Sequence, residues 1–106
     1  MLAKRGKMRL LFHAEALKEF KRADSAIQAV FKKKLGKLLS GEELPSPAHA
    51  LHGFPRGFYK IKLRKAGFRL VYQFDGKDLV ILVIAVGRRD RDIVYEVARA
   101  RLEGWT

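Results

Sequence analysis

Leu79 to Val86 reads LVILVIAV, an apolar run without one polar side chain. A strand with one solvated face alternates apolar and polar residues, so an unbroken run of this kind requires cover on both faces. The run is too short to cross a bilayer. It is expected to be a central strand ended by Gly87, and the rest of a 106-residue chain must supply a layer on each side. That length suffices for one compact domain and is too short for two.

Upstream of the run the pattern has period two. In YKIKLRKAGFRLVYQF, from Tyr59 to Phe74, one strand places Tyr59, Ile61 and Leu63 on one face and Phe58, Lys60, Lys62 and Arg64 on the other. Lys65, Ala66 and Gly67 make the turn. The second strand puts Phe68, Leu70, Tyr72 and Phe74 on one face and Arg69, Val71 and Gln73 on the opposite one. Asp75 with Gly76 then signals a hairpin into the apolar run. These segments form a three-strand meander.

The first half of the chain has helical spacing. Met8 to Phe12 is a short strand candidate, and Leu17 and Phe20 open a helix from Ala14. Asp24 or Ser25 caps a second helix, Ser25 with Gln28 matching a capping box, and Ile27, Phe31, Leu35 and Leu38 recur at helical steps. Lys32, Lys33 and Lys34 read as its solvated face. Ser40 to Pro55, with Gly41, Pro45, Pro47, Gly53 and Pro55, is the longest loop. After GRRDRD, a final helix carries a weaker stripe of Ile93, Val97 and Leu102. The expected architecture is α+β: an N-terminal helical hairpin and a C-terminal helix on a four-stranded, mostly antiparallel sheet. Residues 1–7 read as a flexible basic extension and 8–106 as a single domain.

Charge narrows the function. The net charge is +12, from 23 Lys and Arg against 11 Asp and Glu, while 48% of residues are hydrophobic. A folded, self-repelling chain of this kind is expected to meet a polyanion or an acidic protein. There is no cysteine, so disulfides and thiolate chemistry are excluded, which fits a reducing cytoplasm. No segment reads as a secretory signal or a membrane span.

The familiar catalytic patterns are missing. His13, His49 and His52 have no metal spacing, and no phosphate-binding glycine motif, GxSxG or framed carboxylate pair occurs. No metal and no cofactor is expected. Lys60, Lys62 and Arg64 recur about 6 to 7 Å apart, near the spacing of successive phosphates on a single strand. Lysines on a strand also protect a sheet edge from pairing with other chains. The lack of any acid between Arg56 and Gln73 favours binding, since mixed charges would protect an edge equally well. Arg91 and Arg99 stand four residues either side of Tyr95, where cations favour a phenolate. An ordinary interfacial tyrosine with its hydroxyl in water fits the same residues.

The segments LHG, YKIKLRKAGFRLVYQF and VIAVGRRDRDIVYEV, with EALKEF and FKKKL before them, resemble the RelE family of bacterial and archaeal toxins over nearly everything after Met8. Members are ribosome-dependent endoribonucleases that enter the decoding site and cut mRNA, and an antitoxin encoded beside them holds them inactive. The resemblance implies a RelE-like fold, a small acidic antitoxin as partner, and the ribosome and mRNA as targets. Lys60, Lys62 and Arg69 match the residues that hold the scissile phosphate. Arg89 matches the arginine that helps the leaving 5′-oxygen, and Tyr95 the tyrosine that takes the proton of the attacking 2′-hydroxyl. Arg56, Arg64, Lys65, Arg88, Arg91 and Arg99 are the further cations expected to hold RNA. The chain departs from the family at His52, where an arginine is familiar, and its loop from Gly53 to Tyr59 is one residue longer. A ParE-like toxin acting on DNA gyrase without catalysis, or a plain RNA-binding module, are the alternatives on the same fold.

Overall fold

The computed structural model describes residues 8–88, 90 and 93–103. The expected extension of residues 1–7 and the site candidates Arg89 and Arg91 lie outside the described residues. Along the chain run β1 (Arg9–Phe12), α1 (Ala14–Arg22), α2 (Ser25–Ser40), a 3-10 turn (Pro47–His49), β2 (Phe58–Leu63), β3 (Phe68–Asp75), β4 (Val80–Arg88) and α3 (Ile93–Glu103). The strands form one sheet in the order β1-β4-β3-β2. β2, β3 and β4 pair antiparallel, while β1 lies parallel to β4, so the sheet is mixed.

The apolar run is the inner strand that its composition required. On one face α1 and α2 bring Ala16, Phe20, Phe31, Leu35 and Leu38 onto Ile61, Leu70, Tyr72, Ile81, Val83 and Val86. On the other, α3 brings Val94 and Ala98 onto Phe58, Val71, Ile84 and Ala85. The two faces of β4 are not assigned by simple alternation. Val71 pairs with Ala85 but Tyr72 with Val83, so Ile84 is an extra residue, a bulge that turns both Ile84 and Ala85 toward α3.

Two helix stripes differ from those read off the spacing. Leu17 is 37% exposed, and α1 buries Ala16 and Phe20 instead, a four-residue step that the small Ala16 had concealed. In α3, Ile93 is 52% exposed, and Val94 with Ala98 faces the sheet. Small residues there let the helix lie close. The capping box is also replaced. Asp24 is the N-cap of α2, which moves Gln28 one position inward, and its amide donates instead to the carbonyls of Ala23 at 2.8 Å and Lys21 at 3.2 Å. Gln28 thus closes the end of α1 against α2. Lys32, Lys33 and Lys34 are exposed as expected.

β1 stops at Phe12, and the next residue ends the ladder: His13 N–H donates to the Val83 carbonyl at 2.8 Å. Its Nδ1 then accepts the Glu15 N–H at 3.1 Å and caps α1, a role that the spacing of the histidines did not reveal. Beyond this point β4 has no strand on that side among the described residues. Glu19 and Arg101 take its place. Glu19 Oε1 accepts the Val86 N–H at 3.0 Å, Arg101 Nη1 donates to the Ile84 carbonyl at 2.8 Å, and the two side chains form a bidentate pair at 2.9 and 2.6 Å.

The pair is only 15% and 20% exposed, so removing one partner strands the other with a strand backbone group. Arg101→Ala is expected to lower unfolding free energy by about 2 to 4 kcal/mol in a denaturant titration. Lys18→Ala, which breaks the exposed pair with Glu15, is expected to change it by less than about 0.5 kcal/mol.

Candidate active site on the α3 face of the sheet

Strand pairing assembles the basic side chains. Lys62 of β2 lies opposite Arg69 of β3, and Arg69 lies opposite Gly87 of β4. One row across the sheet therefore reads Lys62, Arg69, then a residue with no side chain. In the next row Lys60 lies opposite Val71 and Val71 opposite Ala85. Val71 and Ala85 belong to the core under α3, which fixes the face: Lys60, Lys62 and Arg69 share it by alternation.

Arg69 is the buried cation of this group, 9% exposed, with Nη1 donating to its neighbour's carbonyl at Phe68, 3.1 Å away. It pairs with no carboxylate among the described residues. Setting two like charges opposite each other on paired strands is unfavourable, by up to about 1 kcal/mol where they remain solvated. A sheet arranged only for stability would not hold them so.

Tyr95 enters from α3, half-buried against the same core. Lys60 Nζ stands 5.8 Å from its ring centroid. A cation beside Tyr95 is therefore Lys60, which comes from a different element than the helical neighbours expected from spacing, of which Arg91 lies outside the described residues. Arg99 is directed elsewhere. Its guanidinium lies 5.0 Å from the centroid of Phe54, and a Cβ on Gly53 would come within 3.2 Å of its Nη2. It clamps the 51–57 loop, whose Leu51 and Phe54 pack on the α3 core, and so supports the wall of the site.

The other sequence candidates spread outward. Arg64 is exposed in the β2–β3 turn rather than on the strand, Lys65 is exposed in that turn as read from the sequence, and Arg56 is exposed in the loop before β2. Arg88 stands over the Phe68 ring at 5.3 Å, and Phe68 packs with the core under α1 and α2. The β4 bulge thus sends Arg88 to the face away from Arg69. Tyr72 also lies on that far side, stacked on Tyr59 at 5.7 Å, and burial first, then Tyr59 and Glu43, push its hydroxyl above the ordinary phenol range. It is a core tyrosine. Among the described residues no group of three His, Asp or Glu side chains is arranged to hold a metal ion. The site's chemistry is that of clustered cations beside one phenol: it can hold a phosphodiester and bring a hydroxyl group to it.

Known proteins share this fold and much of this sequence. Residues 10–93 match the family model for the ParE toxin of the type II toxin-antitoxin system parDE. A RelE-like toxin protein of Escherichia coli is 47% identical over 91 residues, covering 86% of this chain and 93% of that one. The mRNA interferase toxin RelE of Escherichia coli strain K12 is 42% identical over the same shares of the two chains. Among solved structures, an arginine double mutant of Escherichia coli RelE in the free state superposes with a TM-score of 0.78 at 40% identity, covering 91% of this chain and 98% of that one. The toxin in the intact Escherichia coli RelBE toxin–antitoxin complex gives 0.69 at 40% identity over 79% and 99%. The chain belongs to the RelE family of type II toxin–antitoxin toxins.

Proposed function

We propose that the protein is an mRNA endoribonuclease that works on the ribosome in the cytoplasm and is silenced by a small acidic antitoxin. The observation that carries the reading is the meeting of Lys60, Lys62 and Arg69 on one sheet face with Tyr95 of α3 above Lys60. A relative at 42% identity is the mRNA interferase toxin RelE, which supports the substrate class.

The chemistry proceeds from a ribose 2′-hydroxyl. Tyr95 takes its proton, the oxygen attacks the adjacent phosphorus, and the bond to the 5′-oxygen breaks. The departing 5′-oxygen takes a proton from water, and the products are a 2′,3′-cyclic phosphate and a 5′-hydroxyl end. Negative charge builds on the phosphate oxygens during attack, and Lys60, Lys62 and Arg69 face that charge from fixed positions. Arg89 is assigned to the leaving oxygen by the family resemblance. As a guanidinium it stabilises charge there, since a group that holds its proton so tightly is a poor proton donor. A phenol is a weak base near neutrality, so the site depends on a substrate already held in line, which a ribosome-bound codon provides. Among the described residues, no helix is long and apolar enough to cross a membrane.

The match to the ParE toxin model keeps a second reading, and the resemblance to ParE-like toxins makes it inhibition of DNA gyrase. A supercoiling assay separates the two, because the nuclease reading expects undiminished supercoiling.

In a translating extract with 5′ ends mapped, Tyr95→Phe is expected to slow cleavage about 100-fold or more. A single 2′-deoxy sugar at the cut is expected to abolish it. Unchanged cleavage in either case refutes the role of Tyr95 or of the 2′-hydroxyl. Arg69→Met is expected to separate activity from stability. It loses about 100-fold or more in cleavage, while the fold gains about 1 kcal/mol because a buried cation opposite Lys62 is gone. A loss of stability would place Arg69 among the structural residues.

A further inference from the structure

β2 is the outer strand of the sheet with β3 as its ladder partner, so its place beneath α3 depends on few side chains. Of the residues buried in the core under α3, Phe58 is the one that β2 supplies among the described residues. Val71, Ile84 and Ala85 come from the inner strands. The 51–57 loop adds a second hold. Its neck is closed by the Leu51 N–H, which donates to the Phe58 carbonyl at 3.0 Å, and the Phe74 N–H donates to the Gly57 carbonyl at 2.8 Å. Within it Phe54 turns back onto Phe58, ring centroids 5.8 Å apart, and offers its ring to the Arg99 guanidinium. Gly53, at φ +77°, leaves the space beside Nη2 of Arg99 that a Cβ would crowd, so the loop is shaped around this cation.

Two cation–ring contacts therefore join α3 to one short segment of chain, with their parts exchanged. At Tyr95 the helix brings the ring and β2 brings the cation, Lys60, at 5.8 Å. At Arg99 the helix brings the cation and the loop brings the ring, Phe54, at 5.0 Å. The two helix positions lie on one face, about 6 Å apart along the axis. We propose that Arg99 is a positioning residue: by holding Phe54 against Phe58 it fixes the start of β2 under α3 and so sets Lys60 against Tyr95. Arg101 and the packing of Val94 and Ala98 hold α3 to the inner strands, and neither reaches β2. The sequence had suggested Arg99 as an RNA contact, but a phosphate there would draw the guanidinium off the Phe54 ring. The consequence for cleavage rests on the proposed nuclease site; the positioning itself does not.

The test reads the positioning by proton NMR, because the Lys60 ε-methylene next to the Tyr95 ring carries a ring-current shift. Arg99→Ala is expected to reduce that shift and to speed exchange of the Leu51 amide about two- to fivefold, the factor by which one exposed cation–ring contact biases an equilibrium. Phe54→Leu is expected to reduce the shift as well, and Phe54→Tyr, which keeps the ring, to leave it as in the parent. The double variant Arg99→Ala with Phe54→Leu is expected to match Phe54→Leu alone, since the two residues act through one contact. On purified ribosome–mRNA complexes Arg99→Ala is expected to lose about two- to fivefold in kcat with KM unchanged. An unaltered Lys60 shift in Arg99→Ala overturns the proposal. So does a raised KM with a weakened salt dependence while Phe54→Leu cuts normally, which would make Arg99 an RNA contact. A parent that does not cut mRNA refutes the nuclease reading, and the Lys60 shift still decides the positioning.

Discussion

The bidentate pair of Glu19 and Arg101 stands where the sheet is unfinished. β1 has 4 residues and β4 has 9, so half of one side of the inner strand would face solvent with its ladder groups open. Such an edge invites pairing with foreign strands and leaves backbone dipoles unmatched. A carboxylate accepts the Val86 N–H, a guanidinium donates to the Ile84 carbonyl, and each supplies the other's counter-charge. Two side chains thus complete the strand. They also connect α1 to α3, which otherwise lie on opposite faces. Arg101 is six residues past Tyr95, about 9 Å along the axis. The interaction that finishes β4 therefore anchors the helix carrying the candidate base.

That anchoring is needed because the site itself opposes folding. Arg69 is nearly buried, and Lys62 faces it across paired strands. Neither position is explained by packing. Both make sense if the positive potential must exist before the substrate arrives, on elements too stiff to relax away from it. Strands with a covered opposite face meet that condition better than a loop. Ile61 lies between Lys60 and Lys62 and is buried in the larger core, so every second residue holds the strand down while its neighbours carry charge.

Much of this was legible. The meander, its two faces and the central strand followed from period two and from LVILVIAV, and the basic positions followed from the same alternation. The bulge at Ile84 was hidden because every residue around it suits either face. Its consequence, Arg88 on the far side from Arg69, was hidden with it. Lys60 beside Tyr95 was missed, and Arg99 was expected there although it turns to Phe54, for a related reason. Helical spacing shows only neighbours on the same helix, whereas Lys60 arrives from a strand 35 residues earlier. The Glu19 and Arg101 pair spans 82 residues and has no local signature. The roles at the site rested on the family resemblance, since one row of cations describes a surface and not a reaction.

The placement of the acids completes the logic. Lys18, Lys37 and Arg101 have carboxylate partners on or next to the helices, in Glu15, Glu43 and Glu19. Lys60 and Arg69 pair with no carboxylate among the described residues, although 11 acids were available to the chain. An internal ion pair at the site would improve the isolated fold and would compete with phosphate for the same cations. Among the described residues, Lys60 and Arg69 are left for whatever binds from outside. A ligand phosphate would find these two positive charges already in place on a stiff sheet.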